Sequence, residues 1–558
     1  MFIGIDIGGT FTDGVVISGQ EVIKAVKVRT DEEISFSIEE ALKQILTDLD
    51  PQKVEQVTLS TTLITNLITQ ERLPQTGMLL LPGPGANPEQ LNFAGPYRVL
   101  RGAVDYRGRV IESVDLNEVK EACTYFLEKN IHHLVVACKF SQRNSSLEKQ
   151  IVEYIQKYYP QVKVLASYEV SGLLNWVRRA NGAFYTLATR ETSHVFQKYI
   201  NNTLTKLGLD CPVYMLKADG GTLPINVALR YPLETIFSGP AASALGSLAC
   251  LDEKATAVVV DIGGTTTDLA LLLRGKPLLA ERGASINNYP LPVRSLAVAS
   301  LELGGDTSIT IEEGKICFTK RQGPALCVGG PTLTVTDILV YSGYSTIASR
   351  DLIKEQVEAI AAELQLTPEQ FSEQVLELFV EQLEAKLEAM FHAWEEEPAY
   401  RIWQVLAAKK QRPQTLLCLG GPSGGIGKYW AEKKKWQVII PQHYAVANAI
   451  GAALAKPTLK VDFFADTERK TYSTNIGGLQ GTLLQPLKHV EEAKKFFLMV
   501  FKATAKEWNL AKDMPIETLY EEGFNIVRDW QTKGRIFQIG LQTVPGIRTF
   551  IKEERSDG

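Results

Sequence analysis

The sequence predicts an α/β protein built from two duplicated halves, and three observations carry that prediction. An eight-residue phrase occurs twice, as Asp6-Ile-Gly-Gly-Thr-Phe-Thr-Asp13 and as Asp261-Ile-Gly-Gly-Thr-Thr-Thr-Asp268. Each copy lies between short apolar runs, Phe2 to Ile5 and Gly14 to Ile17 for the first, Ala257 to Val260 and Leu269 to Leu273 for the second. That is the pattern of a strand, a tight turn and an antiparallel strand. Near the far end, Thr415-Leu-Leu-Cys-Leu419 reads as a buried strand that runs into a third glycine turn at Gly420-Gly421.

The two turns carry the chemistry. A glycine pair at a hairpin tip (Gly8-Gly9, Gly263-Gly264) removes side chains, so backbone N–H groups can point at an anion. The hydroxyls of Thr10, Thr12, Thr265 and Thr266 add donors, and the flanking aspartates suit a hydrated Mg²⁺. Turn chemistry alone does not demand Thr-x-Thr-Asp, so the second occurrence favours a phosphate clamp over two ordinary hairpins. We expect ATP as the nucleotide, Asp6 and Asp261 as the Mg²⁺ holders, Asp13 beside the first turn, and Asp6, Asp261 and Asp268 as the catalytic carboxylates.

Composition sets the frame. At 558 residues the chain exceeds a single core, and we expect a first lobe over 1–235, a second over 236–460 and a tail over 461–558. Hydrophobic residues make up 45% and charged residues 22%, values ordinary for a soluble protein. A net charge of −5 gives no support for binding nucleic acid or an acidic membrane. The first residues have no basic stretch followed by an apolar core, and no apolar run spans a bilayer. The seven cysteines are scattered without a CxxC pair, so we expect buried thiols in a reducing cytoplasm.

In order along the chain, Glu21 to Val28 completes a meander with the first hairpin. A helix from Ser35 to Leu49 puts Ile38, Leu42 and Ile45 on one face and stops at Pro51. Val57 to Asn66 reads as a strand entering a hydroxyl-rich helix start. Thr61, Thr62 and Asn66 there are either substrate contacts at free N–H groups or a helix cap. Gly102 to Asp115 is a hairpin with Arg107-Gly-Arg109 at its tip, whose arginines are solvated more often than not. Leu116–Lys129 and Ser146–Tyr158 are helices, Leu134–Cys138 and Lys163–Ala166 strands, and Leu174 to Leu207 a long helix. His132 and His133 face opposite ways on an extended chain and make poor joint metal ligands.

Ser238 is placed as the N-cap of an apolar helix ending at Cys250, with Pro240 in its first turn. Ser238 and Gly239 would then face a phosphoryl group. Gly304 and Gly305 form another glycine pair flanked by Asp306 and Thr307, followed by a hairpin over Ile309 to Thr319. From Asp351 to Trp394 the chain is helical, restarted by a capping box at Thr367 and Gln370. Phe371, Val375, Phe379, Leu383, Leu387 and Phe391 recur every four residues as a core stripe. The Gly420-Gly421 turn lacks the Lys-Ser/Thr of a Walker A loop and suits close approach of an adenosine. Ala445 to Leu454 is an Ala/Gly helix fit to pack tightly. The tail reads as two helical stretches, Val490–Leu510 and Ile516–Trp530, available for a subunit contact.

These elements together describe the actin-like (ribonuclease H-like) two-lobed ATPase fold with a cleft for ATP. The resemblance then narrows. Gly4 to Asp13, Ser60-Thr-Thr-Leu-Ile-Thr-Asn66, Asp105-Tyr-Arg-Gly-Arg-Val110, Ser238-Gly-Pro-Ala241 and Asp261 to Asp268 resemble, in order, the hydantoinase A/oxoprolinase family. That resemblance implies ATP-dependent opening of a cyclic amide such as 5-oxoproline or a hydantoin. The lactam oxygen would be phosphorylated, and water would attack with a B-type partner subunit; a homo-oligomer is a further expectation. The chain departs from the family's pattern at Leu303-Gly-Gly-Asp-Thr-Ser308 and at Gln322 to Gly329, on the expected substrate side. Two other classes stay open at this stage: a small-metabolite kinase, and a non-catalytic ATP-driven clamp. An iron–sulfur activator is disfavoured by the absence of a close cysteine pair.

Overall fold

A computed structural model describes residues 1–552 apart from 32, 252–255, 281, 397–411, 435 and 511–513. Two six-stranded sheets repeat one arrangement around the two copies of the phrase. In the first, Phe2–Ile7 pairs antiparallel with Phe11–Ser18, which pairs with Glu21–Arg29. On its other side Phe2–Ile7 runs parallel to Gln56–Thr61, then come Val213–Leu216 and Thr222–Pro224. In the second, Ala257–Ile262 pairs antiparallel with Thr267–Leu273, flanked by Val298–Leu301 and Lys276–Pro277. Its parallel side is Thr415–Leu419 followed by Gln437–Ile439. Register repeats too: Asp6 sits opposite Asp13, and Asp261 opposite Asp268.

Two helices of small residues tie the sheets together. Ser238–Cys250 and Ala447–Leu454 share one core with Val15 and Ile17 of the first sheet and Val259 and Leu417 of the second. They touch backbone to backbone: a Cβ on Gly246 would lie 2.0 Å from Ala447 O, and one on Gly451 2.0 Å from Ala242 O. Only residues without side chains allow that separation. The Ala/Gly composition of the second helix is thus used for close packing, as expected.

A parallel four-stranded sheet is inserted in the first half, in the order Lys163–Ala166, His133–Cys138, Thr76–Leu81, Tyr97–Val99. The long helix Trp176–Lys206 packs beside it. In the second half the Pro368–Glu395 helix starts at the Thr367–Gln370 capping box and buries Phe371 to Phe391 in the core of the second sheet. Cys123, Cys138, Cys327 and Cys418 are buried and Cys211, Cys250 and Cys317 partly so.

The tail differs from expectation in one element. Val490–Glu507 is helical, but Ile516–Arg528 is a strand, not a helix. It pairs with Gln531–Thr543 along its length, and the turn residues Asp529 and Trp530 both have positive φ, 49° and 62°. That is the two-residue turn whose twist suits a hairpin. Ile516, Thr518, Tyr520, Phe524, Ile526 and Val527 favour extended backbone, and the partner strand decides it. The five-stranded sheet so formed shares a core with the first lobe: Phe463, Phe537 and Ile539 pack in one cluster with Ile3 and Leu59. Among the described residues, no helix is long and apolar enough to cross a membrane.

Candidate functional site

The two hairpins meet. The Thr10 hydroxyl lies 3.5 Å from where a Cβ on Gly264 would sit, so the tips of the two turns face one another. Gly8 N–H donates to Phe11 O at 3.0 Å and Gly263 N–H to Thr266 O at 2.9 Å. These bonds close the turns and leave Gly9 and Thr265 exposed at the tips, with Thr10 half-buried and Thr266 exposed beside them. Thr12 is different. Its side chain is fully buried and its hydroxyl shares a 3.1 Å hydrogen bond with Thr30, so it braces the hairpin from within. Thr267 does the same in the second copy, donating to Leu303 O at 2.7 Å.

Four aspartates cluster beneath the tips. Asp6 is 7% exposed; burial, with the charges of Asp13 and Asp261 adding, raises its carboxyl to about 7 against hydrogen bonds from Ser60 and Asn448. Asp261 accepts from the Ser243 hydroxyl at 2.6 Å and from Asn448 Nδ2 at 3.0 Å. Asn448, the polar residue of the Ala447–Leu454 helix, therefore acts on both carboxylates that lead the motif. Burial also raises Asp13, but Lys27 on the neighbouring strand offsets it at 2.6 Å. Asp268 has the Ser300 hydroxyl as its partner, and burial pushes it to about 6.

Two further glycine segments back the second hairpin. Gly305 N–H donates to Gly263 O at 2.9 Å and Asp306 N–H to Gly264 O at 2.7 Å. Gly304 and Gly305 are buried, and a Cβ on Gly304 would lie 2.6 Å from the Gly264 backbone. They thus stand behind the turn and shape it. Arg321 pairs with Asp306 at 3.1 Å. Gly420 has φ +90° and packs against the root of the hairpin, a Cβ there being 2.3 Å from Ile262 O, whereas the space at Gly421 is open.

Ser238 is the first helical residue, not the N-cap; Phe237, at φ 53°, occupies the cap position. The left-handed turn at Phe237 directs the Ser238 hydroxyl to the end of the Gln56–Thr61 strand, where it accepts from Thr61 N–H at 3.1 Å and donates to Thr61 O at 3.0 Å. Gly239, one residue on, has open space at its α-carbon. The Thr61 hydroxyl accepts from Leu63 N–H, and the Thr62 hydroxyl from Asn66 Nδ2, both at 3.1 Å. The hydroxyls of the expected substrate residues thus bond within their own helix start. At the Arg107–Arg109 hairpin tip, Arg109 pairs with Asp105 at 2.6 Å.

Sequence reasoning missed Ser243, Asn448, Ser300 and Lys27. No local pattern marks them; the available signal was one asparagine on the Ala447–Leu454 helix, and a lysine on the third strand of the meander, while Ser243 is one of three serines on its helix.

The arrangement defines a class: an α/β protein whose two similar sheets present matching glycine turns over paired carboxyl groups. The hydantoinase/oxoprolinase family model matches residues 183–461, and the model of that family's N-terminal region matches residues 2–159. The chain belongs to this family. It is 24% identical over 508 residues to the uncharacterized protein MJ0964 of Methanocaldococcus jannaschii, covering 81% of this chain and 72% of that protein. It is 23% identical over 389 residues to caprolactamase subunit alpha of Pseudomonas jessenii, covering 61% of this chain and 54% of that subunit. Among solved structures, the ATP-dependent caprolactamase of Pseudomonas jessenii superposes with a TM-score of 0.71 at 17% identity, over 100% of this chain and 89% of that one. Nucleotide-free acetone carboxylase gives 0.71 at 17% identity, over 99% and 88%. These two share the fold.

Proposed function

We propose that this chain uses Mg²⁺-ATP, bound between the two hairpins in an actin-like cleft, to activate a cyclic amide for ring opening. The observation that carries the reading is the convergence of Asp6 and Asp261 beneath two facing glycine turns. Asp6 is buried and the charge of Asp261 adds to its proton affinity, a cost that a cation relieves, so the donor set fits Mg²⁺. Among the described residues no group of three or more His, Cys, Asp and Glu side chains is placed to hold a metal ion, so the protein would supply only part of the cation's ligands. Two carboxylates plus phosphate and water oxygens are what Mg²⁺ accepts. When bound, Mg²⁺ would neutralise charge on the phosphates of ATP.

In this reading Asp6 and Asp261 hold the cation, with Asn448 and Ser243 fixing their orientation. The tips at Gly9-Thr10 and Gly264-Thr265-Thr266, together with Gly239, bind phosphate oxygens. Gly421 borders the adenosine. The amide oxygen attacks the γ-phosphorus and the bond to ADP breaks. Water then adds to the activated carbon, the ring C–N bond opens with a proton passing to nitrogen, and a second water hydrolyses the resulting acyl phosphate to carboxylate and free phosphate. Asp268, whose carboxyl titrates near neutrality, is suited to accept a proton. ATP-dependent caprolactamase and acetone carboxylase support ATP use, and the subunit naming of the caprolactamase relative supports a B-type partner.

The test is Mg²⁺-dependent ADP release by the purified chain, with and without lactams, hydantoins, ketones and sugars. Stimulation by one cyclic amide is expected, falling roughly a hundredfold or more in Asp6→Ala and in Asp261→Ala. A stable phosphorylated sugar would make the chain a kinase, and ATPase activity that responds only to a protein partner would make it a clamp. Failure to bind ATP would remove the proposal.

A further inference from the structure

A separate cavity of about 100 Å³ lies at the junction of the first sheet, the long Trp176–Lys206 helix and the C-terminal sheet. That is several times the roughly 10–15 Å³ a single water needs. Its floor is an ion pair, Lys217 to Asp219 at 3.1 Å, with Gly221 N–H donating to the same carboxylate at 3.0 Å. Burial works against the Asp219 carboxylate, but Lys217 and Arg294 outweigh it and hold Asp219 in its charged form.

Lys460, paired with Asp462 at 3.3 Å, lines the cavity, and so do two more charged groups, Arg294 and Glu234. Among the described residues neither side chain makes a direct hydrogen bond or ion pair, although Arg294 is near enough to act on both carboxyl groups. Two buried threonines complete the set. Thr186 is 0% exposed and Thr458 7%, both line the cavity, and neither hydroxyl has a hydrogen-bond partner among the described residues. Thr458 packs directly against Gly221, where a Cβ would lie 1.7 Å from its hydroxyl oxygen, so only glycine leaves room for it. Buried polar groups left unpaired are costly and mark a place where something else supplies the partners. Leucine, valine, Tyr231 and Trp508 side chains supply the apolar part of the wall, and Ser171 and Asn475 also line it.

We propose that this cavity binds a small amino acid. Its carboxylate would face Arg294, its ammonium Glu234, and its polar edges the Thr186 and Thr458 hydroxyls; the apolar wall takes the carbon segment between the charges. One cation and one anion without direct partners in a single cavity select a zwitterion over a simple anion or cation, because either single charge would leave the opposite group unpaired. The site is independent of the nucleotide reading, and its test uses no nucleotide.

The test is calorimetric titration of the full chain with glycine, L-alanine, L-leucine and 4-aminobutyrate, with acetate and ethylammonium as single-charge probes. At least one amino acid is expected to bind with a Kd below about 1 mM and at least roughly tenfold tighter than either single-charge probe. Arg294→Gln and Glu234→Gln should each weaken that binding roughly tenfold or more. Thr186→Val should also weaken it while leaving the melting temperature of the empty protein unchanged or higher, since an unpaired hydroxyl is removed. A cavity that takes none of the four amino acids below about 10 mM holds only water, and the proposal fails. Binding that survives Arg294→Gln, or acetate binding as tightly as the amino acids, overturns it equally.

Discussion

The two hairpins have nearly the same sequence, the same register and the same turn closure, yet their second aspartates live in different surroundings. Asp13 meets a lysine, Lys27, on the strand beside it, and Lys27 also donates to Ala445 O at 3.1 Å. Asp268 meets a serine, Ser300, on the equivalent strand. The first hairpin is therefore charge-balanced and tied to the loop before the connecting helix. The second keeps an unbalanced carboxyl and is instead braced from behind by Gly304, Gly305 and Asp306. The repeated motif fixes the backbone and burial raises both carboxyl groups, whereas the neighbouring strand decides whether a lysine or a serine opposes that rise. Of the pair, Asp13 faces a cation and Asp268 a hydroxyl, which is why the proton-accepting role is proposed for Asp268.

Three substitutions would break or sharpen that contrast. The largest effect is expected from Gly304→Ala, whose new Cβ must displace the Gly264 backbone. Unfolding in urea should show a loss of roughly 1–3 kcal/mol, while Gly9→Ala, which meets nothing within 4 Å, should fold as the parent does. Equal stabilities would mean that the second hairpin is not braced as described.

Lys27→Met comes next. It leaves the Asp13 carboxylate uncompensated and should cost about 1–2 kcal/mol at pH 7. The loss should shrink as the pH is lowered and Asp13 takes up a proton, so the urea midpoints of parent and variant converge near pH 4. Parallel curves at both pH values would assign Lys27 a packing role alone.

The smallest effect has the opposite sign. Asp268 binds its proton more tightly folded, at about 6, than unfolded, so its ionisation destabilises the fold as pH rises from the ordinary carboxylate range through 6. Asp268→Asn, in the absence of Mg²⁺ and nucleotide, should gain on the order of 1 kcal/mol above pH 6 and nothing below pH 4. Thermal melts across that range check it; a gain that persists at low pH would have another cause.

Much of this architecture was legible from the chain. Both hairpins, the helix restart at Thr367, the Phe371–Phe391 stripe and the tight Ala/Gly helix follow from periodicity and turn chemistry, which act over a few residues. Legibility ended where a remote partner decides the outcome. Ile516–Arg528 has enough charged residues to read as a helix and is a strand because Gln531–Thr543 lies beside it. Thr12 and Thr10 stand two residues apart in the same motif, yet one hydroxyl is buried against Thr30 and the other faces the opposite lobe. Thr10 belongs to the turn and Thr12 to the strand that begins at Phe11, so strand alternation does not relate them, and only the placed sheet says which hydroxyl meets the cleft.

By itself, then, the sequence determined the two turns and the carboxylates that lead them, because glycine pairs and strand alternation act locally. Tertiary structure alone brought Asn448 and Ser243 to Asp261, gave Asp13 a lysine and Asp268 a serine, and gathered Thr186, Lys217, Glu234, Arg294 and Thr458 around one cavity. Those residues lie far apart along the chain, and their meeting depends on how whole surfaces pack, which no local propensity encodes.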